Sequence, residues 1–239
     1  MIKDAHPRRR NISSRSSAPS PATNLAEPKP LLRGWIHAIM IPLSLTAGII
    51  LILMAPEGAG KITSAIYAFT GLLLFSISAI YHLGDWSPST KRVLKRLDHT
   101  NIMLVIAGSY TPLAWALLSE GKATLLLTAI WMGALAGVAF RVFYTDAPRW
   151  LYTPVYVVLG LAALLFIGDF FAASPAAAVL ICAGGAFYIL GAVFYALKRP
   201  NFSIRWFGFH ELFHALTVVG FACHYVAIAI AVTNPAIRF

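Results

Sequence analysis

Three histidines and one aspartate have the types and the spacing of a metal site. His210 and His214 are four residues apart in the sequence HELFH, so on a helix they share one face about 6 Å apart. His82 and Asp98 flank one short basic loop. A catalytic zinc commonly takes three protein ligands and leaves one position to water. The histidines are therefore the predicted ligands, and Asp98 is predicted to hold or deprotonate that water.

Other polar residues near these positions have weaker signals. Ser78 lies one turn before the first of the three histidines, where it can hydrogen-bond a neighbouring group or the water. His224 lies ten residues beyond His214, about 15 Å along a helix, which is too far for the same metal. It is predicted to make a structural hydrogen bond, and His99 is predicted to be interfacial. For His37 a role beside the metal and a structural or head-group role both remain open.

The sequence HELFH also matches the HExxH motif of zinc proteases, in which the glutamate is the general base. The chain has no downstream partner pattern such as HxxGxxH. Glu211 has a second interpretation, because an acidic residue interacts favourably with a helix N-terminus. An intramembrane protease is therefore kept as a minor alternative.

The composition indicates that helices in a membrane position these residues. The chain is 59% hydrophobic and 12% charged, whereas a soluble domain carries about 25% charged residues. Apolar runs of about 20 residues favour spanning helices and are too long for the strands of a barrel. The fold class is predicted to be all-α, a polytopic membrane protein with a seven-helix bundle. The predicted segments are 35–55, 63–84, 99–118, 123–143, 150–168, 176–197 and 207–232.

The domain organisation follows from the same pattern. Residues 1–30 are rich in Ser, Pro and Arg and are predicted to form a disordered, basic cytoplasmic tail. Residues 31–232 are predicted to form the membrane domain, and 233–239 a short outer tail. Cys182 and Cys223 both fall in apolar runs and are interpreted as small buried hydrophobic residues.

The distribution of basic residues orients the bundle. With a cytoplasmic N-terminus, nine basic residues fall in or near the cytoplasmic loops and three lie outside. The C-terminus then lies outside, and all four candidate site residues lie at the cytoplasmic membrane depth. The net charge of +10 is explained by this topology, and no nucleic-acid partner is expected, because the basic residues do not form one folded face.

Several motifs together resemble the hemolysin III family, which belongs with the progestin and adipoQ receptors and so with the adiponectin receptors. They are SerAlaIleTyrHis at 78–82, LysArgLeuAspHis at 95–99, AlaGlySerTyrThrPro at 107–112 and HisGluLeuPheHis at 210–214. LeuArgGlyTrpIleHis at 32–37 resembles the segment before the first helix of the family.

The resemblance implies a seven-helix bundle with a cytoplasmic N-terminus, in the inner membrane of a bacterium. It also implies a zinc site in which His82, His210 and His214 are ligands, Asp98 contacts the water, and Ser78 lies beside it. Adiponectin receptors and alkaline ceramidases, which share a similar set of residues, are regarded as lipid amide hydrolases.

Two classes of function remain open at this point. The first is a zinc-dependent hydrolase of lipid amide or ester bonds, with membrane lipids or a fatty acid as its partners. The second is a non-enzymatic sensor or regulator of the membrane, in which zinc is structural. A cytolysin follows only from the family name, and the helices lack the continuous polar stripe that a pore requires.

Overall fold

The computed structural model describes residues 30–144, 149–203 and 205–234; these ranges are mainly helical, with short connectors and no β-strand among them. Seven of its stretches are long and apolar enough to cross a membrane, which confirms the predicted all-α, seven-helix architecture. Most of the two predicted tails, 1–30 and 233–239, lies outside the described residues. The helices are α1 (Trp35–Met54), α2 (Ala59–Leu83), α3 (Pro88–Leu117), α4 (Glu120–Phe143), α5 (Arg149–Leu161), α6 (Ile167–Ala173), α7 (Pro175–Leu197) and α8 (Phe209–Thr233).

The third helix begins earlier than its apolar run predicts. Instead of starting at residue 99, α3 starts at Pro88, and the Ser87 side chain accepts a hydrogen bond of 3.3 Å from the backbone N–H of Thr90. Serine before the helix and proline in its first turn favour helix initiation, whatever the polarity of the turns that follow. Asp98 therefore lies about three turns inside α3, on the same helix as Lys95.

The fifth spanning stretch is broken in its middle. A 3-10 segment, Ala162–Phe166, separates α5 from α6. The Tyr110 hydroxyl, from α3, accepts a hydrogen bond from the Ala163 N–H at 2.7 Å and donates one to the Gly160 carbonyl at 2.8 Å. Because hydrocarbon offers no alternative partner for backbone groups, this one side chain makes the break compatible with a membrane span.

The packing order explains how distant residues meet. α3 is the most buried of the spans, because 78% of an apolar 18-residue stretch within it is buried. It contacts α2, α4 and α8. α8 also contacts α1 and α7, and more narrowly α2. Small residues permit the close approaches: a Cβ added at Gly71 of α2 would lie 2.5 Å from the Phe221 ring of α8. The end of α2 and the start of α8 therefore lie side by side.

Candidate metal centre

The three histidines predicted as ligands lie together at one end of the bundle. His82 comes from the last turn of α2, and His210 and His214 come from the first turns of α8. One ring nitrogen from each lies within 4.8 Å of the others. The ring centroids are 4.8 Å apart for His82 and His210, 5.0 Å for His82 and His214, and 4.7 Å for the α8 pair. The imidazoles thus form a nearly equilateral triangle.

The triangle suits a small divalent cation. Zinc binds imidazole nitrogen at about 2.0–2.1 Å, and tetrahedral angles then place two ligand nitrogens about 3.3 Å apart. The Nε2 atoms of His82 and His210 are 3.3 Å apart. His82 is 7% exposed and His214 is 3% exposed, so the site is largely shielded from solvent. Three nitrogen donors leave a fourth position open, as in catalytic zinc sites.

Contacts from the chain before α1 reach the start of α8. The Glu211 carboxylate is buried, accepts a hydrogen bond of 2.8 Å from the Gly208 backbone N–H, and forms an ion pair with Arg33. The hydrogen bond and the ion pair both engage the Glu211 carboxylate with groups outside the histidine triangle. Glu211 therefore acts as an N-terminal cap of α8, and its placement does not support the role of general base in a protease.

His37 lies directly against the triangle, and its place could not be settled from the sequence. Its ring is stacked on that of His214, with centroids 3.9 Å apart and planes 3° apart. The edge of the Phe75 ring packs against it with the centroids 5.2 Å apart. His37 is 2% exposed, and neither of its ring nitrogens has a hydrogen-bond partner of normal geometry among the described residues. Ring stacking is therefore its principal contact with His214, beside an interaction with the His214 backbone.

Asp98 and Ser78 form a pair beside the histidines. The Ser78 hydroxyl donates a hydrogen bond to the Asp98 carboxylate. Asp98 is not part of the group whose ligand atoms lie within 4.8 Å of one another, so it stands apart from the triangle. His99 Nδ1 donates to the Lys95 carbonyl of its own helix at 2.7 Å and lies 3.9 Å from an Asp98 oxygen. This placement suits a carboxylate that contacts water rather than metal.

A cavity of about 910 Å³ connects these residues with the interior of the bundle. Along α8 it reaches from His210 to His224, about 21 Å at 1.5 Å per residue. Its wall includes all five predicted site residues, namely Ser78, His82, Asp98, His210 and His214. Most of the remaining wall is apolar, including Leu74, Ile102, Val105, Ile106, Leu113 and Leu161. The shape and polarity suit a molecule with one polar end and a long apolar chain.

The far end of the cavity holds the hydrogen bond predicted for His224. Its Nε2 lies 3.3 Å from the Ile181 carbonyl of α7 and donates to it, because a carbonyl can only accept. The Tyr188 ring packs against it edge to face, with centroids 5.4 Å apart. His224 thus links α7 to α8, and it is not a member of the metal-binding group.

Comparison with known proteins agrees with this architecture. The family model described as "Haemolysin-III related" matches residues 25–225. The chain is 32% identical over 199 residues to the Hemolysin-3 homolog of Bacillus subtilis, covering 80% of this chain and 89% of the relative. It is 28% identical to Hemolysin-3 of Bacillus cereus, covering 78% of this chain and 84% of the relative. It is 26% identical to the human monocyte to macrophage differentiation factor, covering 80% of the relative and 81% of this chain. The chain therefore belongs to the hemolysin III family, within the superfamily of the progestin and adipoQ receptors.

Proposed function

We propose that this protein is a zinc-dependent hydrolase that cleaves an amide or ester bond of a membrane lipid. The observation that carries the proposal is that three clustered imidazoles and the Asp98–Ser78 pair line the same long, mostly apolar cavity. A structural zinc site is usually closed by four protein ligands, whereas this group offers three. A ligand set with an open position beside a carboxylate is an arrangement that hydrolysis uses.

Each residue has a defined task in this reaction. His82, His210 and His214 would hold the metal through one nitrogen each. Bound zinc polarises a carbonyl and lowers the pKa of a water molecule towards 7. Asp98 accepts the proton of the attacking water and returns it to the leaving amine or alcohol. The hydrogen bond from Ser78 fixes the orientation of the Asp98 carboxylate.

The cavity wall positions the substrate. Its apolar side chains, such as Ile102 and Leu113, bind the acyl chain and exclude water from it. The scissile carbonyl then lies at the polar end, next to the imidazoles. Membrane lipids are the proposed partners, and the proposed location is the inner membrane of a bacterium with the N-terminus in the cytoplasm. Reporter fusions at the two termini test that orientation.

The experiment combines metal content with lipid turnover. The full chain, purified in lipid nanodiscs under chelator-free conditions, is expected to hold about one zinc and to release fatty acid from an acyl amide or ester lipid. His214→Ala is expected to lose both properties. Wild-type protein that holds zinc and turns over none of a broad panel of lipids would contradict the hydrolase.

The second candidate is a membrane sensor with a structural metal. The stacking of His37 on His214, and the packing of Phe75 against His37, favour it, because such a site also serves to fix helices. In that case zinc holds α2 and α8 together, and Asp98 has no chemical task. Asp98→Asn then leaves function unchanged, while His214→Ala destabilises the bundle. The two candidates therefore differ in the effect of a single carboxylate.

A further inference from the structure

The segment Leu31–His37, which comprises the residues before α1 and the first turn of that helix, contacts residues at or next to all three imidazoles. We propose that this segment is a positioning element for the metal-binding histidines, an inference that rests on the proposed metal site. Its contacts come from three residues: Gly34 packs on His82, His37 stacks on His214, and Arg33 pairs with Glu211, the neighbour of His210 in the sequence.

Gly34 braces His82. It has a φ of +89°, which favours glycine, and it precedes the first turn of α1. A Cβ added there would lie 2.9 Å from the Cβ of His82 and 3.0 Å from Cγ of Leu83. The backbone therefore packs directly on the last turn of α2, and only glycine permits both the conformation and the distance.

Arg33 and its neighbours brace the start of α8. The ion pair of Arg33 with Glu211 joins the segment to the residue that caps α8. The Leu31 N–H donates to the Arg205 carbonyl at 2.9 Å, which ties the segment to the chain just before α8. His210 directly precedes Glu211, so its backbone position depends on these interactions.

His37 braces His214 through ring stacking. The planes are 3° apart, and neither ring nitrogen of His37 has a hydrogen-bond partner of normal geometry among the residues that the structure describes. Stacking fixes the plane of the His214 imidazole and so the direction of its ligand nitrogen. This contact requires an aromatic face and does not require the two nitrogens.

The difference between the aromatic face of His37 and its ring nitrogens can be tested with two substitutions. The full chain is loaded with Co²⁺ as a spectroscopic probe, and its affinity and absorption spectrum are compared in wild type, His37→Ala and His37→Phe. We expect His37→Ala to weaken cobalt binding about 10- to 100-fold, as loss of a group that orients a ligand does, and His37→Phe to restore most of it with an unchanged spectrum. His224→Phe, in the same cavity but away from the triangle, serves as the matched control and retains wild-type affinity.

The outcomes separate the possible failures. Unchanged affinity in His37→Ala overturns the positioning role and leaves the metal site standing. Equal loss in His37→Phe and His37→Ala, with a changed spectrum, overturns it in favour of His37 as a ligand. If wild type binds no cobalt, the proposed metal site itself fails. If His37→Ala does not fold, the other two variants still test the positioning role. The proposal requires cobalt affinity close to that of the wild type in His37→Phe and weakened cobalt affinity in Gly34→Ala.

A separate observation concerns the charge of the cavity lining. Lys91, Lys95 and Lys198 line the cavity, and none of them has an ion pair among the described residues. Lys91 and Lys95 are four residues apart on α3, where like charges destabilise a helix. Among the described residues, Asp85 and Asp98 are the only acidic residues that line the cavity. From this excess of cations we infer that the amphiphile bound in the cavity carries an anionic group, which specifies the substrate class of the proposed function.

Binding of lipids that cannot be hydrolysed tests this class without any catalysis. The metal-stripped chain, in nanodiscs of zwitterionic lipid, is titrated with hexadecyl phosphate and with hexadecyl glycerol, which has the same chain and no charge. We expect tighter binding of the phosphate, and a Lys91→Gln/Lys95→Gln double variant is expected to weaken it about three- to tenfold without affecting the neutral lipid. Arg92→Gln is the matched control, because Arg92 is an exposed neighbour that does not line the cavity.

Three results would overturn the anionic class. The first is equal affinity of the wild type for the two lipids. The second is an undiminished affinity of the double variant for hexadecyl phosphate. The third is that Arg92→Gln loses as much affinity for hexadecyl phosphate as the double variant does, which would show a general effect of surface charge. Because the metal is absent, none of them depends on whether the protein hydrolyses a lipid. Failure of the hydrolase and failure of this inference are therefore separate results.

Discussion

Asp98→Asn separates the hydrolase from the sensor most directly. Asparagine has nearly the shape of aspartate, and its Oδ1 still accepts the hydrogen bond that Ser78 donates to this position. Because Asp98 lies outside the metal-binding group, zinc content is expected to be unchanged. What the variant loses is the ability to take a proton from water. A positioned general base contributes about 10²- to 10⁴-fold, so the rate is expected to fall by that factor, about 3–5 kcal/mol of activation free energy.

The assay needs two readouts on the same preparation. Zinc per chain is measured by elemental analysis, and fatty acid released from an acyl amide or ester lipid is measured by mass spectrometry. Asp169→Asn is the matched control, because Asp169 is a carboxylate whose only ion pair among the described residues is with Lys122, and it does not line the cavity. It is expected to keep both zinc and activity.

Two results would refute the reasoning about Asp98. Full activity with full zinc content would show that Asp98 is not the base. Loss of zinc along with activity would show that Asp98 is itself a ligand, contrary to its separation from the imidazole triangle.

Three further predictions concern the metal, the core and the surface. His214→Ala removes one of three nitrogens and is expected to lower zinc from about one per chain to near zero by elemental analysis. Gly71→Ala places a methyl group 2.5 Å from the Phe221 ring and is expected to destabilise the protein by about 1–3 kcal/mol, seen as a lower melting temperature; an unchanged value would mean that the ring moves freely. Lys122→Gln removes an ion pair with Asp169 that is partly exposed (Nζ–Oδ1 2.6 Å) and is expected to change the unfolding free energy by less than about 1 kcal/mol in a denaturant titration.

The sequence was sufficient to predict that the site residues share one end of the bundle. Helical spacing placed His210 and His214 on one face, and counting spans placed His82 at the same depth. Periodicity along a chain cannot show which helices are neighbours, because that depends on side-chain packing between them. The approach of α2 to α8 at Gly71, and the stacking of His37 on His214, are consequences of that packing.

Two features of the helices show where apolar runs fail as a guide. Ser87 and Pro88 favour a helix start independently of hydropathy, whereas the polar turns that follow them conceal the start of α3 from a search for apolar runs. The break between α5 and α6 carried no such signal, since Ala162–Phe166 is as apolar as its surroundings. Its position is set by a partner on another helix, which the local sequence does not reveal.

The partner of that break also imposes an order on biosynthesis. Tyr110 belongs to the third span, and the backbone groups that it satisfies, Gly160 and Ala163, belong to the fifth. A ribosome makes the third span first, so the hydroxyl is already in the membrane when the broken span arrives. If the fifth span kept this break on its own, the Ala163 N–H and the Gly160 carbonyl would face hydrocarbon, at several kcal/mol each. The 3-10 break in the fifth span thus depends on a side chain of the third span. A fragment that begins after α3 would lack the Tyr110 hydroxyl that satisfies the backbone groups at the break.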